Sequence, residues 1–176
     1  MLFSAGDLKS RYKKFADIED DLITRKLSNI ESIIRKHTNN NFQNRLVRFS
    51  ASVEGGIIKG NSPYLKSLDT IEISDGINKG LYTVISTENG TKTIEPLYDY
   101  PKQLITKIEY PIDVIEGAID LLDWELIKQG KENSNIASES ISRHNVSYVQ
   151  RTKDNTIKGY PIELFDFCNE YKKARF

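Results

Sequence analysis

The chain has 176 residues, of which 38% are hydrophobic and 28% are charged, a composition typical of a globular domain with a modest core. Its 25 basic and 25 acidic side chains cancel, whereas a dedicated nucleic-acid-binding protein usually carries a basic excess that neutralises phosphates. No apolar run approaches the ~20 residues that span a bilayer, and the first residues lack the apolar segment of a secretory signal. We therefore expect a protein of the cytoplasm that does not contact membranes.

The chain holds too few cysteines and histidines for a disulfide or for a metal site built on these residues. Cys168 is the only cysteine, which excludes an internal disulfide and a zinc site built on several thiolates. His37 and His144 are the only histidines, and no carboxylate pattern typical of a metal site accompanies them. We expect neither a metal nor a cofactor.

The first forty residues predict two helices. In the first, over residues 7–15, apolar side chains recur at helical spacing at Leu8, Tyr12 and Phe15. The second helix is expected from residue 18 to residue 37, with Asp17 as its cap. Its apolar stripe comprises Ile23, Leu27, Ile30 and Ile34. The asparagines that follow tolerate turn and left-handed conformations, so they end the helix.

The pattern changes to strands after the second helix. Ile71 and Ile73 alternate with polar residues, as in a strand with one buried face. Residues 80–97 predict a hairpin whose tight turn is Asn89-Gly90, a favoured pair for two-residue turns. Three side chains are expected to line its strands: Tyr82, Val84 and Ile94.

Helical spacing returns at Pro111, which suits the first turn of a helix. The core stripe predicted for this helix comprises Ile112, Ile115, Ile119, Leu122 and Leu126, and Gly130 ends it. Trp124 lies outside the stripe, so we expect it to be buried elsewhere within the chain or to contact a partner. A last helix is predicted from Pro161, with Leu164, Cys168 and Tyr171 on one face.

Together these patterns predict an α+β fold. Residues 44–107 would form a small all-β module of four to six antiparallel strands, inserted into a helical platform. The platform would comprise residues 1–43 and 108–176, with about four helices.

A serine-rich run beside a histidine suggests a hydrolase as one alternative. Ser140 or Ser142 would be the nucleophile and His144 the base. No nucleophile elbow, oxyanion hole or orienting acid accompanies them, so this is the least favoured function. Acidic pairs on predicted helices are better explained as solvated faces and helix starts. These pairs are Asp20 with Asp21, Asp120 with Asp123, and Glu163 with Asp166.

A second alternative is a sequence-tolerant nucleic-acid-binding module that uses the β insert. Stacking platforms of this kind expose aromatic side chains on a basic face. The insert offers Tyr64, Tyr82, Tyr98 and Tyr100. Its lysines are interleaved with acids, so this function ranks below the one that follows.

Residues 135–150, after the third helix, carry a motif in two halves. The halves are Ser138-Glu139-Ser140-Ile141 and Val146-Ser147-Tyr148. In this motif, and in the order of helices, β insert and motif along the sequence, the chain resembles the head–tail connector (adaptor, or head-completion) proteins of long-tailed double-stranded DNA bacteriophages. The family often has a glycine where this chain has Ser142. The insert is similar to those of connectors from Gram-positive phages and prophages over residues 69–84, "DTIEISDGINKGLYTV".

The resemblance implies a structural, non-enzymatic protein of the virion that is made in the bacterial host cytoplasm. It would form a ring, expected to be twelvefold, under the portal protein, and it could be monomeric in isolation. Its far face would receive the stopper or tail-completion protein, and double-stranded DNA would pass through its lumen without sequence recognition. The subunit-interface loop implied by the resemblance comprises Ser138, Glu139, Ser140, Ile141, Val146 and Tyr148. The portal-docking residues it implies are Tyr171, Lys172, Lys173, Arg175 and Phe176.

Overall fold

The structure is a computed structural model that describes residues 4–128, 138–141, 144–147 and 155–174, with the backbone alone for residue 128 and for the two short segments. These residues form helices and an antiparallel sheet, joined by turns and loops, which confirms the predicted α+β fold. Backbone contacts divide the chain into two compact units. The β unit is Asn40–Pro111, and the helical unit is Ser4–Asn39 together with Ile112–Phe176.

The β unit is built on one antiparallel sheet of six strands. The strands are β1 (Gln43–Glu54), β2 (Ile57–Ile58), β3 (Thr70–Ile73), β4 (Gly80–Ser86), β5 (Lys92–Thr93) and β6 (Tyr100–Ile108). Their order across the sheet is β2-β1-β6-β3-β4-β5. The last strand of the unit therefore lies at its centre, between β1 and β3.

One face of this sheet carries the core of the β unit. Ile105 of β6 is fully buried, and it pairs with Phe49 on one side and with Ile73 on the other. Ile71 and Ile73 are both fully buried, as their alternation with polar residues predicted. The rest of this core comprises Val47, Ala51, Val53, Ile58, Leu65, Val84 and Leu97.

The predicted hairpin is present, but one of its three strand residues is misplaced. Gly90 has a φ of 89°, and a Cβ there would lie 2.6 Å from the carbonyl oxygen of Ile58, so the position favours glycine. Val84 is buried and pairs with Thr93. Ile94 follows β5 and is 63% exposed, so the expectation that it lines the strand core is wrong. The Ile94 N–H donates to the carbonyl of Thr83, which is the neighbour of Val84. Successive residues of a strand point to opposite faces, so the side chain of Ile94 lies on the face opposite to that of Val84.

The N-terminal part of the helical unit contains two helices. Helix α1 is Ala5–Arg11, and its cap is Ser4, whose hydroxyl accepts from the Asp7 N–H. A turn of 3₁₀ helix follows, and then α2, Asp20–Thr38. The predicted cap Asp17 is wrong, because Glu19 occupies the cap position and makes no side-chain cap bond. The predicted stripe is buried at Ile23, Leu27, Ile30 and Ile34. Left-handed Asn39, with a φ of 50°, ends α2 as expected.

Helix α3, Ile112–Asp123, buries only part of the stripe that was expected. Its buried apolar residues are Val114, Ala118, Ile119, Leu121 and Leu122, with Gly117 among them. Of the predicted stripe, Ile119 and Leu122 are buried as expected, whereas Ile112 is 70% exposed and Ile115 is only half-buried. Small residues allow close approach of a neighbouring element, and a Cβ on Gly117 would lie 2.3 Å from the ring of Phe167. Because Phe167 of the last helix packs against Gly117, the face of α3 with Gly117 and Ala118 is buried, and Ile112 is exposed to solvent.

The chain after α3 makes a wide helical turn and later two hairpins, the first of which pairs β7 (Ser138–Ile141) with β8 (His144–Ser147). The turn, Trp124–Lys128, has π-helical geometry. Trp124 is 5% exposed and its ring lies 5.3 Å from that of Tyr160, which confirms its expected burial within the chain. Strands β9 (Thr156–Ile157) and β10 (Tyr160–Pro161) pair across Lys158 and Gly159. These two have φ angles of 54° and 92°, as in a tight hairpin turn.

The last helix is Ile162–Tyr171 and has 3₁₀ geometry. A helix starting at Pro161 was predicted from helical spacing. Pro161 belongs to β10. Side chains three apart align in a 3₁₀ helix, so Phe165 and Cys168 are buried in one row that continues to half-buried Tyr171. Leu164 is half-buried beside that row.

Replacing Gly117 by alanine tests the packing of the last helix on α3. Alanine normally stabilises a helix interior by up to about 1 kcal/mol relative to glycine. Here the added methyl meets the Phe167 ring, so we expect Gly117→Ala to lower the free energy of unfolding by about 1–3 kcal/mol. Gly6→Ala in α1 is the control, because a Cβ there has nothing within 4 Å. Thermal unfolding should show a lower Tm for the first variant and an equal or higher Tm for the second; a gain in both would contradict the packing.

Candidate functional site

The C-terminal segment 171–174 is hydrogen-bonded to α2 and α3. The Tyr171 hydroxyl donates to both carboxylate oxygens of Asp113, at 2.9 and 2.8 Å. The Lys173 N–H donates to the Thr38 carbonyl at 2.8 Å, and the Asn39 amide donates to the Ala174 carbonyl at 3.1 Å. Because two of these bonds involve main-chain atoms of the segment, its path beside the C-terminal end of α2 is fixed.

This fixed path separates the expected docking residues into two groups. Tyr171 is half-buried and its hydroxyl is engaged within the chain. Lys172 and Lys173 are exposed; the Lys172 ammonium donates to the Asn169 side chain at 2.9 Å, which leaves its charge and its other two N–H donors to an approaching surface. Arg175 and Phe176 lie outside the described residues.

Two tyrosine hydroxyls bind carboxylates on the outer face of α3. Tyr171 binds Asp113, and Tyr12 binds both oxygens of Glu116, at 3.0 and 2.9 Å. The hydrogen bond to the carboxylate raises the pKa of each tyrosine, and desolvation adds to the effect. Asp120 is exposed on the same face, at helical spacing from Asp113 and Glu116. The twelve residues of α3 include no lysine or arginine, so this face is an acidic edge.

Glu125 joins three elements of the helical unit. Its Oε1 lies 2.6 Å from Nζ of Lys26 in α2, and its Oε2 accepts from the Tyr160 hydroxyl of β10 at 2.5 Å. Burial raises the pKa of Tyr160 strongly, and the bond to Glu125 adds to it. The β9–β10 hairpin is thereby held to α2.

A cavity of about 650 Å³ lies between the outer face of α2 and the β9–β10 turn. The described residues that line it are Asn29, Ser32, Ile33, Lys36, His37, Ile157 and Lys158. Its polar side chains include two lysines and the N–H and O–H donors of Asn29 and Ser32, and no carboxylate is among the described lining residues. Burial, and then the charge of Lys172, lower the pKa of His37, whose ring lies 5.3 Å from that of Phe165. His37 is therefore a neutral group at physiological pH, and the positive charge comes from the two lysines.

The expected subunit-interface loop contains a two-stranded hairpin of β7 (Ser138–Ile141) and β8 (His144–Ser147). Its register pairs Ser138 with Ser147 and Ile141 with His144. Glu139 pairs with Val146, and Ser140 with Asn145. Tyr148 and Ser142 lie outside the described residues. Only the backbone of this hairpin is described, so the proposed Ser–His pair stays a prediction.

Of the three acidic pairs predicted to be solvated, Asp123 is buried and the other five carboxylates lie on helix surfaces. Asp20 forms an ion pair with Lys9, and Asp123 one with Lys14. Asp21, Asp120, Glu163 and Asp166 are exposed. Within the described ranges, no group of three or more histidine, cysteine, aspartate or glutamate side chains could hold a metal ion.

The tyrosines of the insert differ in exposure. Tyr64 and Tyr98 are exposed, whereas Tyr82 and Tyr100 are half-buried. Tyr82 packs against the sheet core, so it is a core residue more than a stacking platform. In the part of the chain that the structure covers, no helix has the length and apolar character to cross a membrane.

Comparison with models of known protein families and with curated proteins found no match to this chain. The site must therefore be interpreted from its own geometry. Sequence patterns missed two of its features, the acidic edge with its tyrosines and the donor-lined cavity. One sequence pattern could have indicated the hairpin that borders the cavity. A two-residue turn, Lys158-Gly159, lies between two short segments that can be extended, Thr156-Ile157 and Tyr160-Pro161. No pattern indicated the tyrosine contacts, because Tyr12 and Glu116 are 104 residues apart.

The Tyr160 hydroxyl should contribute measurably to stability. Tyr160→Phe removes a bond to a largely buried carboxylate, and we expect the free energy of unfolding to fall by about 1–2 kcal/mol. Tyr12→Phe is the matched control, because its hydroxyl binds an exposed carboxylate and should leave the Tm nearly unchanged. Chemical denaturation of both variants checks this. Equal effects of the two substitutions would show that Glu125 does not join the hairpin to α2.

Proposed function

We propose that this chain is a head–tail connector of a long-tailed double-stranded DNA bacteriophage. It would form a ring beneath the portal protein, continue the DNA channel and offer its far face to the stopper or tail-completion protein. The observation that carries the proposal is the hairpin of β7 and β8. Its first strand coincides with the first half of the connector-like motif, Ser138 to Ile141, and its second strand contains Val146 and Ser147 of the second half. The hairpin belongs to a helical unit whose sequence is interrupted by an antiparallel β unit.

The charge distribution supports a ring that surrounds DNA. Ring closure needs head-to-tail contacts, in which each copy presents two different surfaces to its neighbours. The helical unit has an acidic edge on α3 and a basic region around Lys36 and Lys158. The whole chain is neutral, and a lumen without a basic excess lets DNA slide, because it does not bind the phosphates strongly.

The C-terminal segment supports portal docking. Its main chain is hydrogen-bonded at Lys173 and Ala174, so little conformational entropy remains to be lost there when a partner binds. Exposed Lys172 and Lys173 then face outward and can accelerate the encounter with an acidic surface. The residues that follow would extend this surface.

Removing the two lysine charges tests the docking role. Lys172→Ser with Lys173→Ser should weaken binding to the portal protein of the same genome by roughly tenfold at low salt, because charges at an interface rim act mainly on association. Lys92→Ser with Lys102→Ser removes the same charge from exposed sites in the β unit and serves as the control. Surface plasmon resonance on immobilised portal measures both. Equal binding by the two double variants would exclude the segment as the docking site, and no binding by the wild type would contradict the connector function.

A further inference from the structure

The cavity beside α2 has a lining that suits one kind of ligand. Lys158, an asparagine amide and a serine hydroxyl can donate to an anion, Lys36 adds positive charge, and Ile33 and Ile157 supply an aliphatic wall. A volume of about 650 Å³ lies in the range of sites that take several side chains or a small organic molecule, and it exceeds what one phosphate ion fills. The ligand should therefore carry a carboxylate and an aliphatic group together.

Such a ligand is presented by the acidic edge of α3. Ile112 is 70% exposed at the start of the helix, and Glu116 and Asp120 follow it on the exposed side. The Tyr12 hydroxyl fixes the orientation of the Glu116 carboxylate. An ordered carboxylate loses less conformational entropy when it enters a site.

We infer that the cavity of one copy receives the acidic edge of α3, Ile112 to Asp120, from a second copy. This inference rests on the proposed ring and names its subunit contact. Charge complementarity supports it: Lys36 and Lys158 stand at the cavity, and α3 contains four acidic residues and no basic one. The cavity and the edge belong to different elements, so one copy can bind one neighbour with its cavity and another with its α3. That arrangement is the head-to-tail contact that closes a ring.

Lys158 is the position at which to test the cavity. It is exposed and lies in the left-handed region with a φ of 54°, which asparagine tolerates better than most residues. Lys158→Asn therefore removes the charge without straining the turn, and Lys158→Glu reverses it. On the partner surface, Asp120→Lys reverses an exposed charge.

Cysteine cross-linking tests the contact directly, in the chain alone and in the chain bound to the portal ring. Lys158→Cys and Asp120→Cys are made in separate chains, mixed at high concentration and oxidised. The native Cys168 is buried, which raises the pKa of its thiol to about 12, so it should not compete. We expect the mixed 158–120 dimer as the main product, with little self-cross-linking of either variant. Lys158→Glu introduced into the Asp120→Cys chain is the control, since that chain keeps its own α3 edge and should still cross-link.

Each outcome bears on the inference separately from the connector function. Absence of the mixed dimer from chains bound to the portal ring would overturn the contact and leave the connector function standing. If the mixed dimer forms but the wild type does not bind portal, the contact stands and the connector function is contradicted. A short DNA duplex that binds the wild type and not Lys158→Glu, with no 158–120 cross-link, would overturn the inference in favour of a phosphate site. Asp120→Lys should reduce self-association, and Lys158→Glu combined with Asp120→Lys in one chain should restore it.

Discussion

The close contact between Gly117 of α3 and the ring of Phe167 is the constraint on which the helical unit depends. A side chain at position 117 would overlap that ring, so the last helix can pack where it does only because the residue is glycine. The packing brings the row of Phe165 and Cys168 into the core. It also carries Tyr171 to Asp113 and the following residues to the end of α2. The proposed docking segment therefore takes its position from a contact in the interior.

The polar contacts of the helical unit sort its charges into two regions. Tyrosine hydroxyls bind the carboxylates of α3 without neutralising them, so α3 stays acidic. Lys14 forms an ion pair with Asp123, and Lys26 forms one with Glu125. The lysines of the cavity and of the C-terminal segment make up the opposite region. A chain with no net charge can thereby have two complementary surfaces, which a head-to-tail assembly requires.

The sequence predicts most of the fold where the signal is local. The stripe of α2 and the left-handed Asn39 follow from helical spacing and from the conformational tolerance of asparagine. Ile94 could not be placed, since a shift of one residue reverses the face of a strand. The face of α3 was predicted in part: Ile119 and Leu122 are buried, but packing selected the side with Gly117 and Ala118 instead of the side with Ile112. The contacts of the candidate site join distant residues, such as Tyr171 with Asp113, and no local pattern encodes them.

The most direct test of the account is the mass of the complex that the purified chain forms on the purified portal ring, measured by native mass spectrometry. A connector should add one copy for each portal subunit, twelve on a twelvefold portal, because each copy docks on one portal subunit and contacts its two neighbours. It should do so in a concerted step, with few partly filled rings, since each added copy gains contacts with its neighbours. A complex that holds a single copy, or no complex at all, would contradict the account.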